Sequence, residues 1–170
     1  MKVLIVSDTH GQRKELREVM KRERPFDSLI HCGDTEGLEE EIRKEADCPC
    51  TIVRGNNDFG SDLPFDEVIY RLGHRIFVTH GHRYSVAWNL ESLKSAARAH
   101  GCDMVIYGHT HRPLIDSSDP GLIVMNPGSL AYPRQEGRQP SYIVAERDES
   151  GKVDFRVEYL KKKAVRRYFW

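Results

Sequence analysis

Five short apolar runs in this 170-residue chain each end in a motif with a cation-binding side chain, and four of those motifs contain a glycine. Val3 to Ser7 runs into Asp8-Thr9-His10, Ser28 to Cys32 into Gly33-Asp34, and Cys50 to Arg54 into Gly55-Asn56-Asn57-Asp58. Arg75 to Thr79 ends in His80-Gly81-His82, and Met104 to Tyr107 in Gly108-His109-Thr110-His111. Apolar runs of this length read as buried strands. Ligand sites in open α/β sheets lie beyond the carboxyl ends of such strands, so the pattern demands a fold that gathers several strand ends at one edge. Glycine lets the backbone turn tightly enough for side chains of different strands to meet. In extended chain, residues i and i+2 point to the same side. Asp8 with His10, and His109 with His111, are therefore each expected to grip one cation.

The intervening segments fit that demand. Gln12 to Arg24 carries Leu16, Val19 and Met20 at helical spacing and stops at Pro25. Glu36 to Ala46 is charged and helix-permissive, and Trp88 to His100 places Leu90, Leu93, Ala96 and Ala97 on one face before Gly101. Leu122 to Met125 reads as a further strand. Hairpins are expected at Glu67 to Leu72 with Arg75 to Thr79, and at Ser141 to Arg147 with Lys152 to Leu160. Strand–helix alternation suggests parallel pairing and the hairpins add antiparallel pairing, so an α/β fold (α+β in some schemes) with mixed sheets is expected. No linker rich in Pro, Gly or Ser divides the chain, and its length matches one domain over residues 1–170.

Composition narrows the function. Lys plus Arg and Asp plus Glu are 26 each, so the formal net charge is zero. That weighs against a nucleic-acid coat or a polybasic membrane binder. No run approaches the roughly 18 apolar residues of a membrane helix, and the N-terminus lacks a signal-peptide core. Cys32, Cys48, Cys50 and Cys102 contain no CxxC pair, which points to a reduced, cytoplasmic setting.

The ordered set DxH, GD, GNND, HGH and GHTH resembles the calcineurin-like metallophosphoesterase superfamily. The short length, the intact GHTH and the Asn126-Pro127-Gly128-Ser129…Pro133-Arg134 segment are similar to its small YfcE-type phosphodiesterases, YsnB-like members among them. The resemblance implies a four-layer αββα sandwich with two mixed β-sheets. It implies that Asp8, His10 and His111 hold one divalent cation, that Asn56, His80 and His109 hold a second, and that Asp34 bridges them. The implied activity is hydrolysis of small or nucleotide-like phosphodiesters by a metal-bridging hydroxide. Four imidazoles, two carboxylates and an amide oxygen suit manganese or nickel, with iron or zinc also accommodated, better than calcium or magnesium. Two such cations, two carboxylates and a hydroxide leave about one positive charge to attract and stabilise a phosphate ester.

The departures from the family pattern are specific. The wider superfamily has His after the ligand Asn, and YfcE-type members often have Cys; here it is Asn57, which has no proton to give at neutral pH. Asn57, His82 and Asp58 form the candidate catalytic set. His82 is placed to face the cleft two residues past His80, and Asp58 to orient a neighbour. Arg134 is the candidate phosphate contact. The Gly33-Asp34 motif lacks the following Arg of Ser/Thr phosphatases, which removes a protein-phosphatase reading. Two readings stand beside the enzyme: a non-catalytic metal-binding scaffold of the same fold, like the retromer subunit, and a nuclease. His31 is read as a core group, His74 as a solvated turn residue and His100 as a helix cap. The basic run Lys161 to Arg167 reads as a solvated terminus. Tyr168-Phe169-Trp170 is expected to dock on the same domain or on a second subunit, which leaves a homo-oligomer open.

Overall fold

The computed structural model describes residues 1–160; the basic run and the aromatic end of the sequence lie outside them. One five-stranded sheet has the order β10-β9-β1-β2-β3, built from β1 (Lys2–Val6), β2 (Ser28–His31), β3 (Cys50–Ile52), β9 (Ser141–Arg147) and β10 (Val153–Tyr159). A second has the order β4-β5-β6-β8-β7, built from β4 (Asp66–Arg71), β5 (His74–Thr79), β6 (Met104–Ile106), β7 (Pro113–Asp116) and β8 (Ile123–Pro127). Both are mixed. In the first, β1, β2 and β3 pair in parallel and β9 joins β1 antiparallel; in the second, β5, β6 and β8 pair in parallel while β4 and β7 join antiparallel.

Alternation along β1 explains the layering. Val3 and Ile5 face a core shared with Ile76, Val78, Met104 and Ile106 of the other sheet. Leu4 and Val6 face Leu16, Val19 and Met20 of helix α1 (Lys14–Glu23) and Ile42 of α2 (Glu39–Ala46). Burial on both faces is why β1 is apolar from Val3 to Val6 rather than alternating with polar residues. On the far side, Leu93 and Ala97 of α3 (Glu91–Ala99) pack on Phe77, Val105 and Val124. The result is the four-layer αββα sandwich, with two inner sheets and helices outside.

The differences from expectation have local causes. α2 starts at Glu39 rather than Glu36, because Asp34, Glu36 and Gly37 all have positive φ and belong to a loop. α3 starts at Glu91 rather than Trp88, because His82–Tyr84 forms a 3-10 turn and the Trp88 N–H donates to the Ser85 carbonyl. Strand β7 was not expected. It opens on Pro113 and lies at the sheet edge, where a missing N–H costs no ladder bond. His74 is not a free turn residue: it opens β5, and its Nδ1 lies 3.0 Å from Asp103 Oδ2.

Candidate metal centre

The C-terminal ends of β1, β2, β3, β5 and β6 meet along one edge, and backbone bonds lace their loops together. The Asp8 N–H donates to the Gly33 carbonyl (3.0 Å), the His10 N–H to Asp34 (2.9 Å) and the Gly108 N–H to His80 (3.1 Å). The loops pass so closely that a Cβ at Gly55 would stand 2.1 Å from Asp34 Oδ1. The alternation argument for paired ligands needs correcting here. Asp8, His10, Asp34, His109 and His111 all have φ between 44° and 66°. Left-handed backbone is uncommon outside glycine, although Asp and His tolerate it better than most. Asp8 and His10 therefore converge because the chain winds left-handed past the end of β1, not because an extended strand alternates.

Two sets of three donor atoms lie within 4.8 Å of one another: Asp8 with His10 and His111, and Asp8 with Asp34 and His80. Asp8 Oδ1 is 3.0 Å from His111 Nε2, and His10 Nε2 is 3.3 Å from His111 Nε2. Asp34 Oδ2, a member of the second set, lies 3.5 Å from His80 Nε2 and reaches to 3.8 Å from His10 Nε2 of the first. Asn56 Oδ1 lies 3.0 Å from His80 Nε2 and 2.9 Å from His109 Nδ1. All seven sequence-selected donors thus share one cluster.

Two features of the protein fit divalent cations there. Asp8 Oδ1 is buried and has no hydrogen-bond partner. A buried unpaired carboxylate oxygen is costly unless a cation answers it. The histidines are also aimed. His10 Nδ1 donates to Glu36 Oε1 (2.7 Å), His80 Nδ1 to the Cys32 carbonyl (2.6 Å) and His111 Nδ1 to the Tyr132 carbonyl (2.7 Å). Each bond leaves a bare Nε2 lone pair pointing inward, the arrangement that orients metal-binding imidazoles. Burial works against charge on His111, but the adjacent Asp8 carboxylate holds its pKa above the ordinary value. Burial and the neighbouring His80 push His109 down.

The remaining candidates surround this cluster. Asn57 donates its backbone N–H to Asp34 Oδ1 (2.8 Å) and its side-chain amide to Oδ2 (2.7 Å), so it clamps the carboxylate. Asp58 accepts the N–H groups of Asp34, Gly55 and Glu36 and the Thr35 hydroxyl, all within 3.0 Å. Burial raises its pKa but those donors outweigh it, and the carboxyl ends below its usual range. His82 lies tilted near His80 and His109, at 5.4 and 6.2 Å between ring centroids, with a buried Nδ1 that has no partner. Burial first, then His80 and His109, hold its pKa down. The Arg134 N–H donates to the His111 carbonyl (3.0 Å), and its side chain is exposed. Sequence reasoning missed Glu36, which a charged helical segment conceals, and the two carbonyls, which no residue type signals. It also missed the work of the Asn126 segment. Asn126 Nδ2 donates to the Gly108 carbonyl (2.8 Å), and Ser129 Oγ donates to that of Asp8 (2.9 Å), which ties two of the loops down. The cysteine thiols are pushed up by burial, Cys50 to about 12, away from reactivity.

His31 lies beneath the cluster, fully buried. The Gly33 N–H donates to its Nδ1 (3.2 Å), so the ring proton sits on Nε2 and faces Thr9 Oγ1 at 3.1 Å. Burial, opposed by the carboxylates of Asp8 and Asp58, pushes its pKa down to about 4. A second proton would set two donors against each other at Nδ1. The unfolded chain binds that proton below about 6.5, so stability is fully present above that pH and is lost as pH falls towards 4. The drop expected of the metal-free protein is about 3 kcal/mol. Urea unfolding at about pH 7.5 and pH 4.5 checks it; His31→Gln, which cannot titrate, should lose that part of the slope.

The model of the calcineurin-like phosphoesterase superfamily domain matches residues 1–150. The chain is 40% identical over 148 residues to the probable metallophosphoesterase YsnB of Bacillus subtilis, covering 85% of this chain and 83% of that protein. It is 30% identical over 147 residues to Phosphodiesterase MJ0936 of Methanocaldococcus jannaschii, covering 75% and 83%. The crystal structure of a conserved predicted phosphoesterase from Streptococcus pneumoniae superposes with a TM-score of 0.76 at 30% identity, covering 91% of this chain and 87% of that one.

Proposed function

The chain belongs to the calcineurin-like phosphoesterase superfamily, and from that premise we propose that it is a dinuclear-metal phosphodiesterase acting on small, nucleotide-like diesters. One observation carries this reading: the complete donor cluster, with three inward Nε2 atoms held by their opposite ring nitrogens and an unanswered Asp8 oxygen among them. Asp8, His10 and His111 would hold one cation, Asn56, His80 and His109 the other, and Asp34 both. Manganese or nickel suits this mixed nitrogen and oxygen set. When bound, the two cations supply positive charge for the phosphate oxygens and acidify a shared water.

The protein's own groups do the rest. Asn57 keeps the Asp34 carboxylate turned to the cluster. Asp58 fixes the two loops that carry Asp34 and Asn56. Arg134 pairs with a phosphate oxygen, and His82, a ring beside the cluster whose buried Nδ1 has no partner among the described residues, exchanges a proton with the ester. No helix among the described residues is long and apolar enough to cross a membrane, and we assign the protein to the cytoplasm as a single domain.

Metal removal tests the reading. Dialysis against chelator should reduce hydrolysis of bis(p-nitrophenyl) phosphate to background, and manganese or nickel should restore it better than magnesium. Full turnover with no metal found by elemental analysis would overturn the proposal. Metal bound at two per chain with no hydrolysis of any diester would favour the scaffold reading.

A further inference from the structure

Two grooves lie beside the metal cluster, and one of them is lined by its His109. One, of about 740 Å³, opens beside Tyr132, whose ring centroid is 5.0 Å from that of His10. The other, of about 510 Å³, runs from His109 to Trp88. Both volumes suit small organic ligands. Arg112 and Arg134 line both grooves, so they stand at the junction, and Arg138 lines the larger one.

The side chains here are unusual for this molecule. Trp88 is 89% exposed, in a fold that buries most of its large apolar groups. Arg13, Arg17, Arg22, Arg83, Arg98 and Arg156 each pair with a carboxylate. Arg112, Arg134 and Arg138 make no side-chain hydrogen bond or ion pair among the described residues, although the chain has as many acids as bases. Three unpaired guanidinium groups are therefore concentrated where a phosphate ester would lie. Arg112 follows His111 directly, and the Arg134 backbone is bonded to the His111 carbonyl, so both stems start within a residue of the cluster.

A guanidinium fork matches the oxygens of a terminal phosphate and binds it with two parallel hydrogen bonds. An exposed indole offers a stacking face to any flat base. We propose that this junction is a specificity site: the cluster takes the diester of a short nucleotide, Trp88 stacks on one base, and Arg112 with Arg134 takes a second, terminal phosphate. This rests on the phosphodiesterase reading above. The substrate class is a 5′-phosphorylated dinucleotide rather than a polynucleotide, since the net charge of zero gives no long-range attraction to a polyanion. The larger groove, with the Tyr132 ring at its mouth, receives the second nucleoside.

The chain has two tryptophans, Trp88 and Trp170. In full-length Trp170→Phe protein, fluorescence reports Trp88 alone. Titration of the chelated protein with pApA should quench that signal, and ApA, which lacks the terminal phosphate, should bind about tenfold more weakly. Arg112→Gln should close that gap, and Arg112→Glu should reverse it. In manganese-loaded protein, Trp88→Leu should raise the KM for pApA about tenfold. Arg112 and Trp88 are exposed, so these variants keep the fold, which circular dichroism verifies. Equal affinity for pApA and ApA, or no quenching by either at millimolar concentration, overturns the site. Turnover of bis(p-nitrophenyl) phosphate without that discrimination overturns the site and leaves the phosphodiesterase reading intact. Discrimination in quenching without turnover of any diester supports the site and overturns the phosphodiesterase reading.

Discussion

Asp34→Asn protein should lose both cations and at least about 10³-fold of its turnover, the equivalent of several kcal/mol of transition-state stabilisation. Asp34 is 1% exposed, and its carboxylate stands 3.5 Å from His80 Nε2 of its own donor set and 3.8 Å from His10 Nε2 of the other. The substitution removes the negative charge that offsets two cations in a dry cleft. It also breaks the clamp, because Asn57 presents N–H donors to both oxygens and an amide can accept at only one position. Backbone strain is not the cause of the loss, since Asn tolerates the φ of 57° that Asp34 adopts. Elemental analysis and the diester assay check the outcome, with His111→Ala as the comparison. That variant should empty mainly one site, because His111 belongs to only one donor set. Asp8 belongs to both sets. Two metals retained in Asp34→Asn, with both lost in Asp8→Asn, would transfer the bridging role to Asp8.

Activated diesters should be cleaved roughly 10²–10⁴-fold faster than alkyl monoesters, with rates that fall steeply as the leaving group becomes more basic. An aryl diester expels a phenolate that needs little protonation, whereas an alkyl ester expels an alkoxide that needs a good acid. The Asn57 amide has no acidic proton, and it is already donated to Asp34 Oδ2 at 2.7 Å. His82 is the alternative donor, with its unpartnered Nδ1 beside His80 and His109. Asn57→His should flatten the dependence if the new imidazole reaches the leaving oxygen. It keeps the backbone N–H bond to Asp34 Oδ1 while releasing the amide bond. A leaving-group series on wild type, Asn57→His and His82→Ala separates the cases. A shallow wild-type slope that steepens only in His82→Ala would make His82 the acid and remove Asn57 from that argument.

Much of this molecule was written in local pattern. The apolar run of β1 foretold a strand buried on both faces, and Leu16, Val19 and Met20 foretold the inward stripe of α1, because side-chain periodicity follows directly from helix and strand geometry. The donor types at the five strand ends were visible too, since imidazole, carboxylate and glycine carry their chemistry in their names. The sequence by itself therefore determined which groups were available and roughly which elements carried them.

Only the tertiary structure decided how those groups meet. Asp8 and His10 converge through left-handed backbone rather than strand alternation, a conformation sustained by bonds to residues as distant as Gly33 and Asp34, whereas His109 and His111 do not grip one cation together but turn apart, to Asn56 and to Asp8. Which nitrogen of His10, His80 or His111 faces inward depends on Glu36 and on the carbonyls of Cys32 and Tyr132. Every residue has a carbonyl, so no residue type could mark those two. The amide of Asn57 is held by Asp34, 23 positions away, and Trp88 stays exposed because its N–H closes a turn ahead of α3 instead of starting the helix. Each of these is a contact between segments remote in sequence, or a competition between a turn and a helix. Long-range hydrogen bonding and close packing resolve such choices only when the whole chain is assembled.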